Sequence, residues 1–189
     1  MRNTFCVTAF FLLAAALPTA QALEPLQMAP QVAGKSLLGE GRVSLTELRG
    51  KVVIVDFWAS WCGPCILSMP ELDALRDRLQ LAGFGERFEI IGVNLDDNPE
   101  LARRFLKVHP VHYPVISDLL GLAARHYEPR KLPSAYLVNP EGRVVFIYYG
   151  HGPGYGEALE AQMRGLLQTP TKLKSPEAEP TAVDAVNKP

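Results

Sequence analysis

The run Lys51 to Phe57 (K-V-V-I-V-D-F) is apolar at consecutive positions rather than alternate ones. A strand without a polar face has to be covered on both sides, so it belongs in the middle of a layered sheet. Gly50 opens the run, and Trp58-Ala59-Ser60-Trp61-Cys62-Gly63-Pro64-Cys65 follows it. Beyond the cysteines, Ile66, Met69, Leu72, Leu75 and Leu79 recur at helical spacing, with Glu71, Asp73, Arg76, Asp77 and Arg78 between them. That pattern predicts an amphipathic helix, kinked at Pro70. Phe88 to Val93 reads as a second buried strand, and a strand-helix-strand crossover requires the two strands to be parallel.

Asn98-Pro99 supplies a cap and a first-turn proline for another helix, running to about Lys107. A short helix is predicted over Leu119 to Tyr127, and a last one from about Tyr155 to Leu167. Between them, Ala135 to Val138 and Val144 to Tyr149 flank the turn signal Asn139-Pro140-Glu141-Gly142, which predicts an antiparallel hairpin. The expected class is α/β, a mixed central sheet with helices on both faces. Gly150 to Gly156 follows the hairpin, out of place for a phosphate-binding turn, and reads as a loop near the active-site edge.

The flanks have a different character. Residues 1–22 read as a cleaved signal peptide: Arg2 is the positive start, Phe5 to Leu17 is almost wholly apolar, and Ala20-Gln21-Ala22 offers small residues at a cleavage point. The apolar run is shorter than the roughly 20 residues that span a bilayer, which places an uncleaved anchor second. Residues 23–36 read as a loosely held lead-in, 37–168 as a single domain, and 169–189, proline-rich and without aromatic residues, as a disordered tail. The net charge of −1, with both signs interspersed, gives no reason to expect a nucleic-acid partner. An exported chain of this kind calls for the periplasm of a bacterium.

Of the three cysteines, Cys6 lies in the expected leader and the other two form Cys62-Gly63-Pro64-Cys65. No cysteine remains for a structural disulfide, so the pair is kept for reactivity. Two cysteines at this spacing at a helix start can close a disulfide, and the positive end of the helix favours a thiolate at Cys62. Cys62 is therefore the candidate nucleophile, and Cys65 the residue that resolves a mixed disulfide. Zinc would need two further ligands at suitable spacing, and no second cysteine pair exists. His109, His112, His126 and His151 show no ligand spacing and read as surface or capping residues.

The segment Val55 to Cys65 (V-D-F-W-A-S-W-C-G-P-C) closely resembles the active-site segment of the thioredoxin superfamily. The wider frame resembles that superfamily's exported TlpA/ResA-like branch: Leu45 to Lys51 before the first core strand, Met69-Pro70 in the helix, Tyr113-Pro114-Val115 with Asp118, and Leu132-Pro133-Ser134. The resemblance implies a thioredoxin fold with an N-terminal extension and a helical insertion. It also implies a thiol-disulfide oxidoreductase with no cofactor beyond the Cys62/Cys65 couple. In this frame Asp56 matches the buried aspartate that relays a proton to or from Cys65, and Pro133 the cis-proline across from Cys62. Leu132, with Trp61, Gly63 and Pro64, then forms the substrate-binding surface, while Trp58 packs in or beside the core. Gly63-Pro64 resembles the reducing members, so exported proteins with disulfides are the expected substrates and a membrane thiol donor the expected source of electrons. A copper-delivery protein or an apocytochrome c are narrower candidate partners; a disulfide-forming oxidase and a copper-binding assembly factor are the alternative functions. Ser68 stands where the branch's apocytochrome reductases carry a glutamate, which counts against a dedicated cytochrome c role, and Lys131 stands where a glycine is common. A peroxidase of related fold is disfavoured because no Pro-Thr-Cys arrangement precedes Cys62.

Overall fold

A computed structural model of the chain describes residues 25–169, so the expected leader and the tail beyond Thr169 lie outside the described residues. The lead-in is better built than its composition implies. β1 (Ala33–Lys35) and β2 (Arg42–Ser44) pair antiparallel, and Ala29 and Val32 are buried. Met28 bridges to Arg143, and the Leu45 N–H donates to the Val32 carbonyl at 2.9 Å. The folded body thus begins before Leu37: this segment covers one face of the central sheet, and apolar side chains at Ala29, Val32 and Leu45 are what hold it there.

The central sheet has the order β5-β4-β3-β6-β7, built from β3 (Val52–Trp58), β4 (Phe88–Asn94), β5 (Val115–Ser117), β6 (Ser134–Val138) and β7 (Val144–Tyr149). β3, β4 and β5 run parallel, while β6 and β7 form the antiparallel hairpin. All seven residues of β3 are buried, as the unbroken apolar run demands. Four helices complete the order: α1 (Cys65–Leu81), α2 (Pro99–Val108), α3 (Leu122–Tyr127) and α4 (Tyr155–Gln168).

The two faces of β3 serve two cores. Val52, Ile54 and Trp58 pack with Met69, Leu72 and Leu75 of α1, Leu106 of α2, and Leu159 and Met163 of α4. Val53, Val55 and Phe57 pack with the N-terminal segment, the turn at Leu45, and Ala123 and Tyr127 of α3. Helices therefore lie on both faces, but α1, α2 and α4 share one, and the other is closed by α3 together with the chain's own start.

One boundary differs from expectation. The helix expected from Leu119 begins at Leu122, because Gly121 adopts a left-handed conformation (φ 64°) that ends the preceding turn. The Asp118 carboxylate then takes over the cap, accepting from the N–H of Ala123 at 3.1 Å and of Ala124 at 2.7 Å. Asn98 caps α2 as its sequence predicts, accepting from the Glu100 N–H at 2.9 Å.

Candidate active site

β3 delivers the chain to the site. After Trp58, the segment Ala59 to Cys62 turns outward, with the Cys62 N–H donating to the Ala59 carbonyl at 3.1 Å. α1 begins at Cys65, so Cys62 precedes the helix rather than lying in its first turn; the Cys65 N–H closes onto the Cys62 carbonyl at 3.1 Å. Cys62 and Cys65 form a disulfide with their Cα atoms 5.4 Å apart. Cys65 is fully buried and Cys62 keeps 5% exposure, which leaves Cys62 as the sulfur an incoming group reaches first. No acidic side chain lies in the first turn of α1, so none opposes a thiolate at the helix's positive end.

A polar clamp that the sequence reading missed fixes this segment. Asp96, just past β4, accepts from the Ser60 N–H at 3.1 Å and the Ser60 hydroxyl at 3.0 Å. Its other oxygen accepts from Asn94 Nδ2 at 2.9 Å, and its own N–H donates to Asn94 Oδ1 at 3.1 Å. Asn94 and Asp96 are both buried, so the hydrogen bonds replace the water they have lost. The signal was an Asn-x-Asp at the end of a buried strand, where β4 lies in register beside β3 with Trp58 opposite Asn94.

Asp56 faces the same side of β3 as Ile54 and Trp58, the side against which Cys65 and α1 pack. It is fully buried, and neither carboxylate oxygen has a hydrogen-bond partner among the described residues. Burial pushes its carboxyl well above the usual carboxylate range. The Tyr155 hydroxyl beside it opposes that rise without reaching ideal hydrogen-bond geometry. A second phenol, Tyr113, is buried in the same cluster; burial is the main reason that both tyrosines stay neutral, and the Asp56 carboxylate adds to it when ionised. A carboxyl that burial makes hold its proton more tightly than usual, on the face of β3 that packs against Cys65, is suited to exchanging a proton with that residue's thiol.

The Leu132–Pro133 bond is cis, and Pro133 leads directly into β6, whose Ser134 lies opposite Phe57 of β3. The sheet therefore brings Leu132-Pro133 to the end of β3 from which the cysteines emerge. The Gly150 N–H donates to the Pro133 carbonyl at 2.6 Å, which ties the glycine-rich loop to this corner. Trp61 is 69% exposed beside Cys62, and Leu67 and Ile66 continue the apolar surface. Trp58 is fully buried, and Gly63 and Pro64 stand exposed between the cysteines. Ser68 is buried, its hydroxyl 3.4 Å from the Cys65 carbonyl, so no carboxylate occupies that turn of α1.

Two histidines are better placed than spacing suggested. His112 Nδ1 lies 2.7 Å from Asp73, and His151 Nε2 lies 2.9 Å from Glu71, so each ties a loop to α1. These partners are 39 and 80 residues apart, out of reach of local pattern. Among the described residues no group of three or more His, Cys, Asp or Glu side chains is arranged to hold a metal ion. Among the same residues, no helix is long and apolar enough to cross a membrane.

Comparison with known proteins agrees with this geometry. ResA of Bacillus subtilis, named a thiol-disulfide oxidoreductase, is 32% identical over 109 residues, covering 58% of this chain and 59% of ResA. ResA of Bacillus cereus is 29% identical over 127 residues, 67% of this chain and 68% of that protein. A Chlorobium tepidum crystal structure, provisionally assigned as thiol:disulfide interchange protein DsbE, superposes with a TM-score of 0.70. It is 33% identical and matches 77% of this chain and 99% of its own. The AhpC/TSA family model matches residues 25–147, from the N-terminal segment that closes the sheet to the last strand. With that span, its paired cysteines and its thioredoxin-like sheet, the chain belongs to the AhpC/TSA family.

Proposed function

We propose that this protein is a periplasmic thiol-disulfide oxidoreductase that reduces disulfides in other exported proteins. The observation that carries the reading is a buried, unpartnered Asp56 on the face of β3 that packs against the buried Cys65, with Cys62 the accessible sulfur of the pair. In the reduced enzyme the Cys62 thiolate attacks a substrate disulfide, breaking its S–S bond, forming a mixed disulfide and releasing one substrate thiolate. Cys65 gives its proton to the ionised form of Asp56 and attacks Cys62 Sγ, which expels the second substrate thiolate and closes the Cys62–Cys65 disulfide; the expelled thiolate takes up the proton and returns Asp56 to its starting form. Two electrons pass from the dithiol to the substrate, and a membrane thiol donor returns them, since the periplasm is held oxidising. The couple itself is the redox group, and the cycle needs no other cofactor. Trp61 and Leu132 lie where an extended substrate segment docks.

Gly63-Pro64 between the cysteines supports the reducing direction, and Ser68 in place of a carboxylate favours a broader set of substrates than apocytochrome c alone. The deciding experiment pairs a potential with a trap. A Cys62/Cys65 potential near thioredoxin's, about −270 mV, agrees with a reductant, whereas one near about −120 mV reassigns the protein as an oxidase. Cys65→Ser in the native cell should accumulate mixed disulfides through Cys62 with exported proteins; no such adducts would count against the reading.

A further inference from the structure

Two buried phenols stand beside Asp56 without a part in the cycle above. Tyr113 and Tyr155 come from different parts of the chain, are almost wholly buried, and have hydroxyls without a hydrogen-bond partner among the described residues. Each follows a clamp onto α1. Asp73 takes both the His112 N–H, at 2.7 Å, and the His112 ring, immediately before Tyr113. Glu71 takes the His151 ring at 2.9 Å and the Gly156 N–H at 3.1 Å, on either side of Tyr155. The second clamp has a structural reason. α4 starts after Gly154, which has no side chain to cap it, so Glu71 caps the helix from α1 and fixes its first residue, Tyr155. The His151 and Tyr148 rings pack on Tyr155 at 5.2 and 5.1 Å and hold the phenol from two more sides.

We propose that Tyr155 is a positioning residue for thiol exchange: its hydroxyl, held beside Asp56 by the Glu71 clamp and unpartnered while the carboxyl is neutral, turns to donate to the carboxylate and so lets Asp56 carry negative charge within the core. The inference rests on the reading of Asp56 given above. A carboxyl wholly out of water ionises only if something inside the protein receives the charge, and the buried Tyr155 hydroxyl beside it has no partner of its own among the described residues. The Asp56 charge raises the Tyr113 pKa through space, and no hydrogen bond joins the two. The other ionisable groups around the cluster are Glu71 and Asp73 on α1, Tyr148 on β7, and His112 and His151 on the clamped loops. All remain in place in Tyr155→Phe, which removes one oxygen.

The test follows the Asp56 carboxyl carbon by NMR in the reduced full-length protein across pH, with Asp56→Asn assigning the resonance. The same proteins are assayed for the separate rates of mixed-disulfide formation and release. Tyr155→Phe should move the Asp56 midpoint up by about one pH unit, the size expected for losing a hydrogen bond to a charged group. Release below that midpoint should slow up to about tenfold, with formation by Cys62 unchanged. Tyr113→Phe should move the midpoint by much less. A Tyr155→Phe midpoint equal to wild type, or a shift matched by Tyr113→Phe, overturns the assignment of Tyr155. Wild-type release in Asp56→Asn overturns the proton role of Asp56 instead, and the role of Tyr155 in exchange with it. A change in thermal melting without a change in midpoint would mark Tyr155 as merely structural, against the proposal.

Discussion

Asp56→Asn should make the protein more stable relative to wild type as the pH rises, and the size of that gain follows from burial. Unfolded, the Asp56 carboxyl titrates near its ordinary value of about 3.9. Folded, it is fully buried without a hydrogen-bond partner, and burial raises its pKa well above that. Between the two values the folded state holds a proton that the unfolded state has released, so stability falls as pH rises through this window. The slope within it is about 1.4 kcal/mol per pH unit. Below the unfolded value both states are protonated, and the penalty is absent. The asparagine side chain carries no charge at any pH, so the variant lacks this slope. Because its buried amide has the same cost at both pH values, the comparison is a difference of differences. From pH 4 to pH 7 the stability of Asp56→Asn minus that of wild type should grow, at up to about 1.4 kcal/mol per pH unit until the folded-state midpoint is passed. Urea unfolding of the oxidised proteins at the two pH values measures it, with equal m-values confirming that the unfolded states are alike. A gap constant to within about 0.5 kcal/mol would mean that Asp56 is not held protonated by the fold, and the basis for its catalytic role would go with it.

Asp96→Ala removes the acceptor for the Ser60 N–H, the Ser60 hydroxyl and Asn94 Nδ2; it should destabilise the protein by about 2–4 kcal/mol and slow attack by Cys62, measured by urea unfolding and stopped-flow exchange. Gly92→Ala sets a methyl 3.2 Å from Val115 Cγ2 and 3.3 Å from Trp58 Nε1, so overpacking between β4 and β5 should cost about 1–3 kcal/mol in the same unfolding assay. Trp61→Ala, at a side chain 69% exposed, should change stability by no more than about 0.5 kcal/mol yet raise KM for a disulfide-bonded protein substrate several-fold. An unchanged KM would remove Trp61 from the docking surface.

The parts of the fold that could be read in advance are those whose signal is local. Val52 to Trp58 is a strand because every residue in it is buried, and α1 is a helix because Met69, Leu72, Leu75 and Leu79 return to one face. The cysteine pair, the cap at Asn98 and the hairpin turn at Asn139 are likewise written within a few residues. What could not be read depends on partners far along the chain. β1 and β2 have three residues each, too short for a period, and exist because the open face of the sheet needs Val32 and Leu45 as cover. Glu71 and Asp73 look like ordinary solvent-facing acids of an amphipathic helix, and only the fold turns them toward His151 and His112. Tyr155 reads as the apolar opening of a helix. Its hydroxyl takes on meaning only once α4 is laid beside β3.

Asp56 also shows why the site sits on the most buried strand. Val52, Ile54 and Trp58 contribute apolar surface to the core, and the fourth position on that face gives up such a contribution to hold a carboxyl against Cys65. The burial that weakens the fold is the burial that raises the carboxyl's pKa. Stability and exchange are therefore two readouts of one equilibrium. The pH range over which wild-type stability declines must contain the midpoint at which release of the mixed disulfide accelerates, because both report the folded-state ionisation of Asp56. A substitution that changes the surroundings of Asp56 should shift both midpoints in the same direction. A variant that eases the burial of Asp56, by hydration or by a new donor, should gain stability near neutral pH and begin release at lower pH, whereas the neutral asparagine gains stability and loses the proton acceptor. Two substitutions that stabilise alike but move release in opposite directions separate the charge of Asp56 from its mere presence in the core.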